Sequence, residues 1–245
     1  MAVETFPITL KDAFMLSPKV KHFIFQCDLK PAFDYLPGQF VTIHFDHEDK
    51  ILRRSYSIAN VPTQNNHIEI AASYIKDAPG TTLLFNLKPG DTLQASGPYG
   101  RLTLKEDPAF KRYLLIATST GITPYRSMFV ELIKRIKDNP ELSIVILQGV
   151  QKREDILYLD ELVALTQKYS QMTFYACLSR EDQNALSTNE YAGRVQQLLP
   201  SLDLNPQTDL VFLCGNPSMI DDAFLLLKDK DFPIQHIIRE KYISR

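Results

Sequence analysis

The pattern of apolar residues changes abruptly after Gly97-Pro-Tyr-Gly100, and that change restricts the fold more than any other feature of the chain. Before it, short segments rich in β-branched and aromatic residues follow one another: Val20 to Cys27, Phe40 to Phe45, Leu52 to Ala59 and His67 to Tyr74. Turn signals separate them, at Tyr35-Leu-Pro-Gly38, Asn65-Asn66 and Lys88-Pro-Gly-Asp91. Short strands punctuated in this way predict an antiparallel barrel, with a short helix over Thr81 to Leu87. After the change, five apolar strands are expected: Tyr113–Ala117, Ile144–Gln148, Thr173–Leu178, Leu210–Cys214 and Gln235–Ile238. Helical patterns lie between them. Met128, Leu132, Ile133 and Ile136 share one helical face, with Lys134, Arg135 and Lys137 on the solvated side. Further helices are expected over Leu159 to Lys168 and Ala223 to Lys228. Strands alternating with helices give a parallel sheet covered on both faces. The chain therefore reads as two domains, a barrel over residues 1–106 and an α/β domain with a five-stranded parallel sheet over 107–245. The break falls near Glu106-Asp-Pro108.

At 245 residues there is material for two cores. With 27 Lys and Arg against 29 Asp and Glu, no charge excess points to nucleic acid or to an anionic membrane. No apolar run approaches the roughly 20 residues of a spanning helix. The first residues, MAVETFPITLKDAF, have neither the basic start nor the apolar stretch of a secretory leader, so a cytoplasmic location is expected. Cys27, Cys177 and Cys214 are far apart, suit a reducing compartment, and are too few to ligate an iron–sulfur cluster.

Four motifs and a pair of arginines carry chemistry. In the strand Ile51-Leu-Arg-Arg-Ser-Tyr-Ser-Ile-Ala-Asn60, Arg54, Tyr56 and Ser57 form R-x-Y-S. An arginine fork suits a phosphate and an aromatic ring offers a stacking surface, while a nearby hydroxyl can bond the reactive atom of a heterocycle. Gly80-Thr81-Thr82 opens an apolar helical run, and a helix start with free N–H groups suits a pyrophosphate; a plain helix start with a threonine cap is the alternative. Thr118-Ser-Thr-Gly-Ile-Thr-Pro124 follows the first strand of the second domain, where doubly wound sheets bind nucleotides. Gly121 permits close approach of a phosphate and Pro124 suits a first helical turn, although no G-x-G-x-x-G is present. Cys214-Gly-Asn-Pro-Ser-Met219 ends the fourth strand of that sheet, where a small polarizable thiol can pack beside a nicotinamide; a buried cysteine ahead of a helix is the alternative. Ser179-Arg180 ends the third, and Arg180 with Arg194 can bind a 2′-phosphate, or else S-x-x-D simply starts a helix. His44, Asp46, His47, Glu48 and Asp49 match no metal-ligand spacing and read as a solvated turn, so no metal is expected.

In this order the motifs resemble one family from about Phe6 to Tyr242, the ferredoxin–NADP(H) reductase superfamily of flavoproteins. The resemblance implies a barrel holding FAD and a sheet domain holding NADP(H). It places Tyr56 on the isoalloxazine, Arg54 on the pyrophosphate and Ser57 by the hydride-accepting nitrogen. Gly80, Thr81 and Thr82 hold the pyrophosphate from the other side, with Ser73 on the preceding strand among the cofactor-binding residues. Thr120, Gly121 and Pro124 shape the nicotinamide-nucleotide pocket, and Cys214 and Gly215 border the nicotinamide. Ser179 and Arg180 match the S-R of NADPH-using members, with Arg194 assisting. Two departures stand out. Thr118-Ser-Thr-Gly121 replaces the usual Gly-Thr-Gly, and Glu240-Lys-Tyr242, which matches the terminal E-x-Y of plant-type members, is followed by Ile243-Ser-Arg245. Tyr242 is then a displaceable lid, with Glu240, Ser57 and Cys214 the catalytic candidates; a frayed tail is the alternative. The implied activity is electron transfer from NADPH through FAD to ferredoxin or flavodoxin, by a monomer that binds neither nucleic acid nor membrane. An oxygenase reductase component, a free-flavin reductase and a flavin-bearing sensor module are the competing readings.

Overall fold

The computed structural model describes residues 4–62, 66–105 and 110–243. The turn signal at Asn65 and the break at Glu106-Asp-Pro108 lie outside them. The chain divides into two compact units. One comprises Met1–Leu104 with Thr123–Met128, the other Lys105–Ile122 with Phe129–Arg245.

The first unit is a six-stranded antiparallel sheet of β1 (Phe6–Ser17), β2 (Val20–Gln26), β3 (Phe40–His47), β4 (Lys50–Ser57), β5 (His67–Ser73) and β6 (Thr92–Tyr99), in the order β4-β3-β6-β1-β2-β5. The two outer strands meet: Ile58, just beyond β4, bridges Ile70 of β5, and the Ala59 N–H bonds Glu69 O at 2.7 Å. The sheet thus curls into a barrel whose outer strands are joined at this one point. Alternation explains the interior, because successive strand residues face opposite sides. Phe6, Ile8 and Leu10 of β1 turn inward, and Phe23, Phe25, Ile68 and Ile70 fill the core with them. Each such side chain contributes roughly 1.5–3 kcal/mol by leaving water. Helix α1 (Pro79–Asn86) opens two residues before the expected Thr81.

Strands β1 and β6 were not among the expected segments. β6 reads poorly because Gly97-Pro98 interrupts it and it has few β-branched residues. The structure tolerates that pair at a register irregularity, where Thr42 opposes Ser96 and Phe40 opposes Tyr99.

The second unit is a parallel sheet of β7 (Arg112–Thr118), β8 (Ser143–Val150), β9 (Met172–Leu178), β10 (Glu190–Ala192), β11 (Asp209–Gly215) and β12 (Ile237–Lys241), in the order β10-β9-β8-β7-β11-β12. It has six strands rather than five. The extra one, β10, is three residues long, too short for a period to show, and exists because it pairs with Ala176 to Leu178. The last strand starts at Ile237 instead of Gln235, which belongs to a single 3₁₀ turn. Helices α2 (Thr123–Asp138), α3 (Leu159–Lys168), α4 (Val195–Leu198) and α5 (Pro217–Asp229) connect the strands. On α2, Met128, Leu132 and Ile136 are buried as their spacing predicts. Arg135 is not merely solvated: it donates to the Tyr113 hydroxyl at 2.9 Å and to Lys105 O at 2.6 Å. α5 begins six residues earlier than expected because the Asn216 side chain caps it, accepting from Ser218 N–H at 2.9 Å. No helix among the described residues is long and apolar enough to cross a membrane.

Candidate cofactor sites

In the barrel unit, β4 carries R-x-Y-S and α1 carries Gly80-Thr81-Thr82; the fold brings the two together. Gly80 is buried against the stem of Arg54, and a Cβ at that glycine would meet Arg54 Cγ at 3.1 Å and Nε at 3.3 Å. The Arg54 guanidinium donates to its neighbour's carbonyl, Arg53 O, at 2.8 Å. An arginine laid across an uncapped helix start combines a planar cation with backbone N–H donors, the two features a pyrophosphate needs. The sequence places the threonines here, but the structure separates their roles. Thr81 is buried and its hydroxyl lies 3.0 Å from Ile75 O and 3.1 Å from Ala78 O, so that its side chain is engaged with nearby backbone. Thr82 is exposed and its hydroxyl donates to Ala78 O at 3.1 Å. Neither threonine is the N-cap, which is Ala78.

Tyr56 is half-buried on the face of β4 that packs against the barrel core, and burial pushes its phenol well above the ordinary value, so it stays neutral. Ser57 is buried opposite Phe40 at the end of the strand. Ser73 ends β5 opposite Val20 and is half-buried. His44 does not sit in a solvated turn. It lies on β3, buried, with Nε2 2.8 Å from Ser96 Oγ, and desolvation followed by the Arg53 charge lowers its pKa. Among the described residues no cluster of His, Cys, Asp and Glu is arranged to hold a metal ion.

In the sheet unit, β8 and β9 extend from one side of β7 and β11 and β12 from the other, so the strand order reverses between β7 and β11. Doubly wound sheets bind nucleotides outside the carboxyl ends at such a reversal. The two loops that leave there are S-T-G-I-T-P and C-G-N-P-S-M, and they close on one another. A Cβ at Gly121 would overlap Cys214 O, and one at Gly215, whose φ is +119°, would overlap the Thr118 hydroxyl. The Asn216 N–H donates to that hydroxyl at 2.8 Å. Both glycines are therefore required by close backbone approach. Thr120 is half-buried in the 3₁₀ turn Ser119–Ile122, and Pro124 is buried in the first turn of α2. The departure from Gly-Thr-Gly is accommodated at Ser119, which adopts φ +47° where a glycine would be unstrained.

Cys214 has no exposed surface, and burial, then the Glu240 charge, push its thiol well up against an opposing hydrogen bond from the Tyr242 side chain. Glu240 stands opposite Cys214 in the β11–β12 ladder, and the Tyr242 N–H bonds Gly215 O at 2.8 Å. Tyr242 is thus anchored to the end of β11 instead of fraying. Ser179 and Arg180 leave β9 beside Gly193 and Arg194 leaving β10, since Leu178 opposes Ala192 and the Gly193 N–H bonds Leu178 O at 2.9 Å. Arg180 and Arg194 are both exposed at that edge. The helical start after Arg180 is capped by Asp182, not by Ser179. Sequence reading passed over Arg153, which pairs with Glu190 through Nε at 2.7 Å and faces a cleft of about 480 Å³ with Lys152, Glu154 and Glu181. Its signal, K-R-E-D after a strand, is indistinguishable from a solvated loop.

Comparison with known proteins agrees with this geometry. Residues 7–104 match the family model described as an oxidoreductase FAD-binding domain, and residues 115–224 that of an oxidoreductase NAD-binding domain. A ferredoxin–NADP reductase B of Sorangium cellulosum is 31% identical over 98% of this chain and 98% of its own. A flavodoxin/ferredoxin–NADP reductase of Buchnera aphidicola is 33% identical over 88% of this chain and 85% of its own. The crystal structure of a ferredoxin NADP+ reductase from Neisseria gonorrhoeae, with bound FAD and NADP, superposes with a TM-score of 0.81 at 22% identity, covering 98% of this chain and 99% of that one. The chain belongs to the ferredoxin/flavodoxin–NADP reductase family, with an FAD-binding barrel and an NAD(P)-binding sheet domain.

Proposed function

We propose that the protein carries electrons between NADPH and a separate one-electron carrier, ferredoxin or flavodoxin, through bound FAD. The observation that carries this reading is the packing of two loops on one another at the strand reversal, Gly121 against Cys214 and Gly215 against Thr118, which sets both at the carboxyl ends of β7 and β11, where doubly wound sheets bind nucleotides. When bound, the nicotinamide supplies a hydride and the flavin can pass electrons on singly. The chain's own part is positioning. Arg54 and the opening of α1 hold a pyrophosphate, Tyr56 gives a ring for stacking, and Ser57 places a hydroxyl beside the flavin's reactive nitrogen. Thr120, Gly121 and Pro124 receive the nicotinamide nucleotide. Arg180, with Arg194, takes the 2′-phosphate by charge-assisted bonds. Tyr242, half-buried and bonded to the Cys214 thiol, acts as a displaceable cover that must leave before a nicotinamide reaches Cys214 and Gly215.

Two observations favour this over the competing readings. Arg54 packs on Gly80 at an uncapped helix start, an arrangement suited to the pyrophosphate of a tightly held dinucleotide. Cys177 and Cys214 lie on strands separated by β8 and β7, which argues against an iron–sulfur cluster shared by these two. Stopped-flow reduction of the purified yellow protein by NADPH and NADH tests the reading. Fast bleaching by NADPH, with a preference that Arg180→Ala removes, is expected. Equal reduction by both nucleotides would discard the role of Arg180, and a flavin that neither reduces would discard the enzyme.

A further inference from the structure

The segment that follows R-x-Y-S joins β5 by a single bridge, yet several hydrogen bonds tie it down. The Ile58 N–H bonds Gln39 O at 3.0 Å and the Ala59 N–H bonds Glu69 O at 2.7 Å. The Asn60 side chain accepts from the Glu69 N–H at 2.8 Å and donates to His67 O at 3.0 Å, while the Asn60 backbone carbonyl accepts from the Tyr35 hydroxyl at 3.0 Å. Ala59 O accepts from Arg126 at 3.1 Å.

Arg126 stands on the opening of α2, within the six residues that cluster with the barrel. The nitrogen that reaches Ala59 O also donates to Glu69 Oε2 at 2.7 Å. Glu69 is mostly buried and is surrounded by donors: His22 Nε2 lies 3.2 Å from Oε2 and His67 Nε2 3.2 Å from Oε1. One glutamate therefore holds residues 59 and 60 with its backbone and orients Arg126 with its carboxylate. Arg126 in turn holds the carbonyl two residues beyond Ser57. Tyr35, whose hydroxyl bonds Asn60 O, completes the ring of polar groups. A cation placed on a backbone carbonyl and a largely desolvated carboxylate is costly to build unless position matters, because removing either partner strands the other.

We propose that Arg126 and Glu69 form a clamp that positions the flavin strand, fixing the height of Ser57 relative to the bound isoalloxazine. They touch no cofactor; they act through Ala59 and Asn60 as positioning residues. The inference rests on Ser57 facing the flavin and adds the device that sets it there.

The test is a set of variants, Arg126→Ala, Arg126→Lys, Glu69→Gln and the Arg126→Ala/Glu69→Gln double variant, purified with FAD. Each is measured for its visible flavin spectrum, flavin midpoint potential, FAD dissociation constant and NADPH kinetics. The clamp predicts a shifted spectrum and potential in Arg126→Ala, and a fall of about tenfold in kcat with KM for NADPH unchanged. It predicts partial recovery in Arg126→Lys, which keeps the charge and one donor, and a double variant no worse than the poorer single one. A yellow Arg126→Ala protein, or a yellow Glu69→Gln protein should Arg126→Ala fail to fold, with wild-type spectrum, potential and kcat, whatever its melting temperature, would overturn the clamp alone. A wild-type protein that binds no FAD would instead remove the flavin reading on which it rests.

Discussion

Cys214 and Ser57 show how differently single residues are treated by one fold. Both are buried and both precede a loop, but Cys214 lies under Tyr242 with its thiol held far from ionisation, whereas Ser57 closes a strand whose next residues are clamped. The other thiols are equally withdrawn, Cys27 pushed up to about 11 and Cys177 to about 12 by burial. A thiolate is the reactive form, so none of the three should react with a disulfide reagent at pH 8 within minutes, while the denatured chain should release all three. Rapid labelling of one thiol in the native protein would contradict the burial of that cysteine. Ser57→Ala should leave FAD bound and slow flavin reduction by NADPH about 10-fold to 100-fold in single turnover, since only a hydroxyl placed for the reaction is lost. An unchanged rate would remove Ser57 from the chemistry. Glu69 makes a third case. Desolvation alone would raise its carboxyl, but the bonds from His22 and Arg126 outweigh burial and hold it down at about 2, against an ordinary 4.5. A carboxylate held low stabilises the fold above its unfolded pKa, and that stability disappears as pH falls from 4.5 toward 2. The difference corresponds to about 3 kcal/mol at neutral pH. Glu69→Gln should therefore lower stability at pH 7 and flatten the acid limb of the pH–stability curve; parallel curves for the two proteins would refute the coupling.

Among the elements, the paired loops at the ends of β7 and β11 are packed tightly on one another. A methyl group at Gly121 has nowhere to go, because what it meets is backbone of Cys214 and Gly215 rather than the end of a flexible side chain. Overpacking of this kind costs about 1–3 kcal/mol. Gly121→Ala is expected to lower the melting temperature by several degrees and to raise KM for NADPH while leaving FAD affinity alone, measured by thermal denaturation and flavin fluorescence. A variant with wild-type KM would show that the loop can part without disturbing the nucleotide. Helix α1 presents the opposite case. Its cap, Ala78, offers no side-chain bond, so the opening turn is held from below by the Thr81 hydroxyl and from the side by Arg54. Strand β12 was legible as an apolar run, but its start was displaced by two residues because Ile234 to His236 curl into a 3₁₀ turn whose His236 ring meets Pro206 O.

At the scale of the whole molecule, the chain forms two compact units, each with its own core, and the six residues Thr123–Met128 are counted with the barrel although they begin a helix of the sheet domain. Sequence periodicity assigns that helix as one object, because its apolar face is continuous from Tyr125 to Ile136. Ligand linkage gives a test at this scale. FAD free at about 100 times its dissociation constant should add about 2.7 kcal/mol to the folded state, so stripping it should lower the melting temperature and adding it back should restore the loss. A melting temperature indifferent to FAD would mean that the barrel does not hold it in the folded state.

Residue type and spacing alone determined the fold class, the alternation of strands and helices, and the four motifs, because each of these is written in local propensity and period. They were enough to identify the family through the order of the motifs. Tertiary structure alone decided what the local pattern does not contain. It set β6 across a Gly-Pro pair and drew β10 from three residues by pairing them with β9. It bonded the Thr81 hydroxyl to backbone carbonyls, joined the buried Cys214 to Tyr242, and gathered His22 of β2, Arg126 of α2 and the nearby His67 around the Glu69 carboxylate. The longest of these contacts, such as Arg126 with Glu69, 57 positions apart, join residues that no local window of sequence contains together.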